Sequence, residues 1–181
     1  MSGRRLTLAL TTLLVVVLAV GATAAWSVGR HRDIRPAAIA DYQAGPTADH
    51  TVRLSTEAAR HGQATQVQAV MQQYFDAINQ RDYQSWVGAV SEAQSAPQTE
   101  DRWLQDYSST TDSNLSVLVI ADEPLRARLM FTSQQAIELA PPSLAVDCIN
   151  WDVTYLLSEQ NGQLVLSGID PSAQSMTACS S

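Results

Sequence analysis

The sequence is poor in the residues from which many catalytic and metal centres are built. Its 181 residues include 2 cysteines, 3 histidines and no lysine, so all 11 basic residues are arginine. Two cysteines are too few for a disulfide-rich scaffold or a structural zinc site. The histidines, His31, His50 and His61, precede the main folded pattern or lie at its first turn. This placement excludes a histidine base inside a pocket and a histidine-rich metal centre, so we expect no cofactor.

Basic residues are also outnumbered by acidic ones. The chain has 18 acidic residues and a net charge of −7. The first thirty residues contain three arginines and no acid, so residues 31–181 have 8 arginines against 18 acids, a charge of −10. Because such a surface repels phosphate, we expect no nucleic-acid partner. The chain also has no glycine-rich phosphate loop, nucleophile elbow, CxxC or kinase motif.

The amino-terminal region contains the longest run without a charge. Leu6–Val28 covers 23 positions, enough to cross a bilayer as a helix. Arg4 and Arg5 precede it, and Trp26 lies near its end. We therefore predict a cytoplasmic tail (1–5), a signal-anchor helix (6–28), a linker (29–54) and a domain (55–181). The alternative is a secretory signal that is cleaved near Ala24.

The two cysteines favour a location outside the cytoplasm. Cys148 and Cys179 both lie late in the chain, and a disulfide between them suits an oxidising compartment. With Asn161-Gly162 as a hairpin turn, the numbers of paired residues sum to 323, which places Ser175 opposite Cys148. We expect Asp170-Pro171 to end the last strand. Cys179 then reaches Cys148 only if the tail folds back along the sheet.

The first half of the domain has helical periodicity. Apolar residues recur with steps of three and one, which predicts an amphipathic helix with Ser55 or Thr56 at its amino end: Val67, Val70, Met71, Tyr74, Phe75 and Ile78. We expect this helix to end near Asn79–Arg81 and Asp82 to cap a second helix. A polar break at Ser91–Gln98 precedes a short third helix.

After Asn114 the periodicity changes to alternation, which is typical of strands. We predict strands at Leu115–Ala121, from Leu125 onward with a possible extension to Leu139, at Cys148–Leu157 and at Leu164–Ile169. The fold class expected is α+β, with a transmembrane helix followed by a cone-like domain of about three helices on a curved antiparallel sheet of about four strands.

Two stretches of the chain resemble a known family. VQAVMQQYFDAINQRDYQSW resembles the opening of the nuclear transport factor 2-like (SnoaL-like, cone-fold) superfamily, and CINWDVTYLLSEQNGQLVLSGI resembles the closing hairpin of its membrane-anchored bacterial members. The resemblance covers residues 56–170. It implies a relationship to anchored proteins such as the Mce-associated membrane proteins of lipid-import complexes. Because the superfamily also contains isomerases, dehydratases and cyclases, it leaves activity open.

The charged residues of the predicted strands and helices offer one candidate for catalysis. Asp147 shares strand parity with Trp151 and Tyr155, which makes it a candidate base at the rim of the cone; the alternative is a surface acid. Asp76 and Asp152 are expected to be solvated, and so are Arg126 and Arg128.

Aromatic residues supply the candidate ligand-binding positions. They either line an apolar cavity or fill the core, and the alternatives stay open: Tyr74, Trp86, Trp103, Phe131, Trp151 and Tyr155. The leading hypothesis is a non-enzymatic, membrane-tethered domain outside the cytoplasm that binds an envelope protein or an apolar ligand. The alternatives are an isomerase or lyase acting on a hydrophobic molecule, with Asp147 as base, and a structural module that forms homodimers.

Overall fold

Four helices and a five-stranded sheet make up the part of the chain that the computed structural model describes, which is Tyr42 and residues 44–180. The strand order is β1-β2-β3-β4-β5; β1 pairs parallel with β2, and every later pair is antiparallel. The helices are α1 (Ala64–Gln80), α2 (Tyr83–Ala89), α3 (Glu92–Ser95) and α4 (Glu100–Asp106). The strands are β1 (Arg53–Leu54), β2 (Thr111–Ala121), β3 (Arg126–Gln134), β4 (Cys148–Gln160) and β5 (Gln163–Ala178).

The predicted fold needs correction in its details, although the structure is α+β. The sheet is mixed and has five strands, whereas we expected about four antiparallel strands. Two residues, Arg53 and Leu54, form β1 inside the predicted linker, and so short a strand leaves no alternation to read. The structure has one helix more than we predicted. It is the single turn α3, which lies in the predicted polar break. Its backbone Gln94 and Ser95 N–H groups donate to the Ser91 carbonyl.

The predicted membrane helix over 6–28 and the tail over 1–5 lie outside the described residues. Within Tyr42 and residues 44–180, no helix is long and apolar enough to cross a membrane.

Helix α1 lies against the sheet through the predicted stripe. Val67, Met71, Phe75 and Ile78 are all buried in the core. The helix begins at Ala64, later than predicted, because Ser55 instead accepts a hydrogen bond from the backbone of Ala58 in a separate 3-10 turn, Ala58–Arg60. Gly62, a poor helix former, separates the two.

The junction between α1 and α2 follows the prediction. Arg81 adopts a left-handed conformation (φ 61°), and its guanidinium donates to the carbonyls of Ile78 and Asn79 at the end of α1. The Asp82 carboxylate then accepts from the backbone N–H of Ser85 at 3.0 Å, so its predicted role as N-cap of α2 is confirmed.

Strand β5 continues past the point at which we expected it to end. Paired residue numbers sum to 323 at Gln160–Gln163 and to 327 at Ile149–Ala178, because irregularities in β5 insert extra residues. One of them is the Asp170 turn, in which the carboxylate accepts from the backbone of Ser172. The shift brings Cys179 opposite Cys148.

The structure therefore contains the predicted disulfide. Cys148 and Cys179 are bonded, with a Cα–Cα distance of 5.5 Å. The backbone N–H of Cys179 also donates to the Cys148 carbonyl at 3.1 Å. The tail thus runs back along β4, as this pairing requires.

Candidate functional site

A cavity of about 310 Å³ lies between the helices and the sheet. Its walls come from α1, from the end of α4 and the segment that follows it, from the strands β2 to β5, and from the segment after β3 that contains Leu139. The apolar part of the wall includes Phe75, Ile78, Phe131 and Val153. This volume is at the lower end of the range for small-molecule pockets, about 300–1,000 Å³.

Asp112 is the buried charged group of the cavity wall. It is only 3% exposed, and Ser133 Oγ, directly opposite on β3, donates a hydrogen bond to its Oδ1. Its other oxygen, Oδ2, has no hydrogen-bond partner among the residues that the structure describes. Burial raises the pKa of Asp112 to about 6, although the Ser133 hydrogen bond and the charges of Arg81 and His50 lower it.

The backbone of Asp112 is held by two other side chains. Asn79 Nδ2 donates to the Asp112 carbonyl at 2.9 Å, and Asn79 Oδ1 accepts from the Asp112 N–H at 2.7 Å. His50 Nδ1 lies 2.8 Å from the same carbonyl. A carbonyl can only accept, so His50 carries a proton on Nδ1. We predicted no histidine base inside a pocket; His50 is not part of the cavity wall, but it binds the backbone of Asp112, which is.

Sequence reasoning missed Asp112 because of a bulge in β2. Asp112 pairs with Ser133 and Val117 pairs with Leu129, so both side chains lie on the core face although they are five residues apart. Regular alternation would place them on opposite faces. The extra residue lies near Asn114, whose φ is 57°. The one signal of this bulge in the sequence is an asparagine just before an apolar strand, since asparagine tolerates the positive φ that a bulge can require.

Three tyrosines surround the carboxylate side of the cavity. Tyr107 lines the same wall, and the ring centroids of Tyr74 and Tyr155 are 5.9 Å apart. Burial raises the pKa of all three, those of Tyr74 and Tyr155 well above the ordinary value. Their hydroxyls are therefore neutral near pH 7 and are able to donate hydrogen bonds.

Four of the six predicted aromatic candidates line this cavity, namely Tyr74, Phe131, Trp151 and Tyr155. Phe131 and Trp151 are stacked, with ring centroids 6.1 Å apart and an interplanar angle of 12°. These rings therefore line the cavity and also pack in the core. Lining a cavity and filling the core, the two alternatives left open by the sequence, do not exclude each other.

Trp86 and Trp103 do not line the cavity. They pack together in the helical layer with centroids 5.6 Å apart, and Tyr83 contacts both rings. Trp103 is completely buried and contacts Tyr107, which does line the cavity. These two tryptophans thus support the site from behind.

The charged residues singled out from the sequence lie elsewhere. Asp147 is exposed and outside the cavity wall; its backbone carbonyl accepts from Gln135 N–H at 2.9 Å. Asp152, expected to be solvated, is instead paired with Arg128, whose Nε lies 2.8 Å from Oδ1. Arg126, also expected to be solvated, is only 8% exposed. Asp76 is partly buried and accepts from Gln72 Nε2 at 2.9 Å.

Apolar side chains are exposed around the opening of the cavity. Leu139 and Ile169 both line it, and they are 37% and 40% exposed. Ile137 is 53% exposed and belongs to the same 3-10 turn as Leu139, Ile137–Leu139. The possible extension of β3 to Leu139 is therefore wrong, because β3 ends at Gln134 and this turn follows it. Water-exposed apolar groups of this kind commonly mark a binding surface.

No group of three or more histidine, cysteine, aspartate or glutamate side chains within residues 44–180 is arranged to hold a metal ion.

No protein-family model, curated protein or solved structure matches the chain.

Proposed function

We propose that the domain binds a small, mainly apolar molecule in the cavity. The observation that carries the proposal is an apolar, aromatic wall interrupted by one buried carboxylate whose Oδ2 has no partner among the described residues. Burying a carboxylate without satisfying it costs free energy, and a ligand that hydrogen-bonds to Asp112 would recover part of that cost. The exposed apolar groups Leu139 and Ile169 offer such a molecule an apolar approach.

The location of this activity is part of the proposal. We propose that the domain works outside the cytoplasm, either tethered by Leu6–Val28 or released by cleavage near Ala24. The Cys148–Cys179 disulfide supports this proposal, because disulfides persist in oxidising compartments. The relationship to the nuclear transport factor 2-like superfamily is proposed on the sequence resemblance alone.

Binding of a ligand is favoured over the purely structural alternatives. A module that only holds an envelope protein or a second copy of itself needs no buried carboxylate, and Asp112 lowers stability by remaining buried. An envelope partner is still compatible with the ligand, since the exposed Ile137 is available at the rim.

The ligand should be recoverable from the protein. We would purify the full chain from detergent-solubilised membranes and identify bound small molecules by organic extraction and mass spectrometry. Thr110→Phe places a ring at a residue that lines the cavity, whereas Thr111→Phe makes the same change at an exposed neighbour outside the wall. We expect the Thr110 variant to lose a molecule that the wild type and the Thr111 variant retain. Identical extracts from all three proteins would contradict the proposal.

A second candidate is proton transfer on a carbonyl compound. It is favoured by the pKa of about 6 for Asp112, which suits a general base near neutral pH, and by the adjacent tyrosine hydroxyls. The Asp112 carboxylate would take a proton from the carbon next to a ketone, while Tyr74 donates a hydrogen bond to the enolate oxygen. In a β,γ-unsaturated ketone the intermediate is a dienolate, and returning the proton to its γ-carbon completes an isomerisation without any co-reactant.

Exchange with solvent deuterium tests this candidate directly. Cyclohexanone in D₂O should exchange its α-hydrogens faster with the wild-type protein, as followed by proton NMR. Asp112→Asn should remove the acceleration, and Asp147→Asn should leave it unchanged. No acceleration by the wild type would exclude the candidate for this probe.

A further inference from the structure

We infer that the cavity selects a ligand with a positively charged amine on an apolar body. This inference rests on the proposed ligand-binding function and deepens it by naming the chemical class. Its basis is the combination of acidic and aromatic side chains in one wall.

The ionisable lining of the cavity, apart from its tyrosines, is acidic. Two carboxylates, Asp106 and Asp112, belong to the wall, and within the described residues no arginine or histidine lines it. Asp106 is already paired with Arg102, whose Nε lies 2.9 Å from its Oδ1. Asp112 is therefore the carboxylate that is available to a cation inside the cavity.

The nearest positive groups are engaged elsewhere. The Arg81 guanidinium donates to backbone carbonyls of Ile78, Asn79 and Ser108, and it is not part of the wall. His50 donates to the backbone carbonyl oxygen of Asp112 and does not line the cavity. Neither group reaches the unpartnered Oδ2, so a ligand cation meets no competing ion pair at that atom.

The aromatic rings add to this preference. Six of them line the cavity: Tyr74, Phe75, Tyr107, Phe131, Trp151 and Tyr155. The face of an aromatic ring carries partial negative charge and attracts an ammonium group, most strongly where water is excluded. An anion such as a carboxylate would be repelled both by these ring faces and by the carboxylate of Asp112. The wall therefore favours an ammonium group over a neutral group and a neutral group over an anion.

Three probes that share a benzyl body test this ranking: benzylammonium, benzyl alcohol and phenylacetate. We would measure their affinities for the full chain in detergent, near pH 7.5, from shifts of the tryptophan indole N–H signals in NMR titrations. We expect benzylammonium to bind about tenfold tighter than benzyl alcohol, and phenylacetate to bind most weakly.

Two variants identify the group responsible. Asp112→Asn should lower the affinity for benzylammonium about tenfold and so remove its preference over benzyl alcohol. Asp106→Asn makes the same change in the carboxylate that is paired with Arg102, and it should preserve the preference. Thermal unfolding of both variants verifies that they are folded.

The pH dependence gives a test that needs no variant. Benzylamine keeps its charge between about pH 5 and pH 8, so a loss of affinity on acidification reports protonation of the protein. We expect the affinity for benzylammonium, but not for benzyl alcohol, to fall as pH drops through about 6, where Asp112 takes up a proton. The other ionisable groups that line the cavity or face Asp112 are Asp106, Tyr74, Tyr107, Tyr155, Arg81 and His50, and loss of the effect in Asp112→Asn separates Asp112 from them.

The possible failures differ from one another. Equal affinities for benzylammonium and benzyl alcohol, or tighter binding of phenylacetate, would overturn the charge preference and leave ligand binding intact. No binding of any probe at millimolar concentration would count against ligand binding itself and so against both proposals.

Discussion

The side chain of Asn79 holds the backbone of Asp112 through both of its polar atoms, at 2.9 Å from Nδ2 to the carbonyl and 2.7 Å from Oδ1 to the N–H. The two residues are 33 positions apart and belong to α1 and β2. An amide that accepts from and donates to one residue fixes both its distance and its orientation. This pair therefore connects the main helix to the strand that carries the buried carboxylate.

Loss of the Asn79 amide should destabilise the protein. Asn79→Ala removes two hydrogen bonds and leaves backbone groups of Asp112 without that partner, so we expect a loss of about 2–3 kcal/mol in the free energy of unfolding. Urea denaturation monitored by tryptophan fluorescence measures it. Gln80→Ala, at an exposed position one residue later, serves as control and should cost under about 0.5 kcal/mol.

Burial of Asp112 should make stability fall as pH rises from about 4 to 6. The pKa of Asp112 is raised from 3.8 to about 6 in the folded protein, so in this range the folded state holds more protons than the unfolded state. The stability that protonated Asp112 contributes is therefore lost as pH rises through its folded pKa.

The Asp112→Asn variant isolates this effect. The stability of the variant relative to the wild type should increase by about 3 kcal/mol between about pH 3 and pH 7, from a shift of about two pKa units. Chemical denaturation of both proteins across this range gives the difference. A difference that does not depend on pH would show that Asp112 titrates normally.

Ser133 should control the pKa of Asp112. Its hydroxyl donates to Oδ1 and so stabilises the charged carboxylate. Ser133→Ala removes that donor, and we expect the pKa of Asp112 to rise further above its ordinary value. The carboxyl carbon signal of Asp112 in an NMR titration measures the change. Thr132→Ala, at the next position on β3, should leave that titration unchanged, and an equal shift in both variants would contradict the assignment to Ser133.

The disulfide should stabilise the fold mainly through the unfolded chain. It links residues 31 positions apart, and closing a loop of that length corresponds to about 3–4 kcal/mol. We expect the double variant Cys148→Ser, Cys179→Ser to lose about this amount, as measured by urea denaturation. Wild-type protein with its disulfide reduced should match the double variant, and mass spectrometry after alkylation verifies its redox state. Equal stability with and without the bond would refute the prediction.

Much of the fold could be predicted because its signals are local. The stripe on α1 from Val67 to Ile78, the cap at Asp82 and the Asn161-Gly162 turn depend on neighbouring residues along the chain. The cysteine pair was predicted from its number and its location late in the chain, and it is bonded. The sequence did not decide whether the aromatic residues line a cavity or fill the core.

The predictions of the strands were wrong where pairing between distant segments determines whether a strand forms and where it ends. Strand β1 exists because Arg53 and Leu54 pair with Ser116 and Val117, more than sixty positions away. The continuation of β5 after Asp170-Pro171 depends on pairing with β4.

The amino-acid sequence alone determined the helical and alternating periods, the acidic charge and the supply of aromatic rings, because these are properties of composition and of near neighbours. Only the tertiary structure decided which side chains meet. The bulge near Asn114 rotates Asp112 onto the core face, opposite Ser133, and α1 brings Asn79 and Tyr74 to it. A bulge forms in response to the register of its partner strand, so the charged wall of the cavity arises from pairing between distant segments.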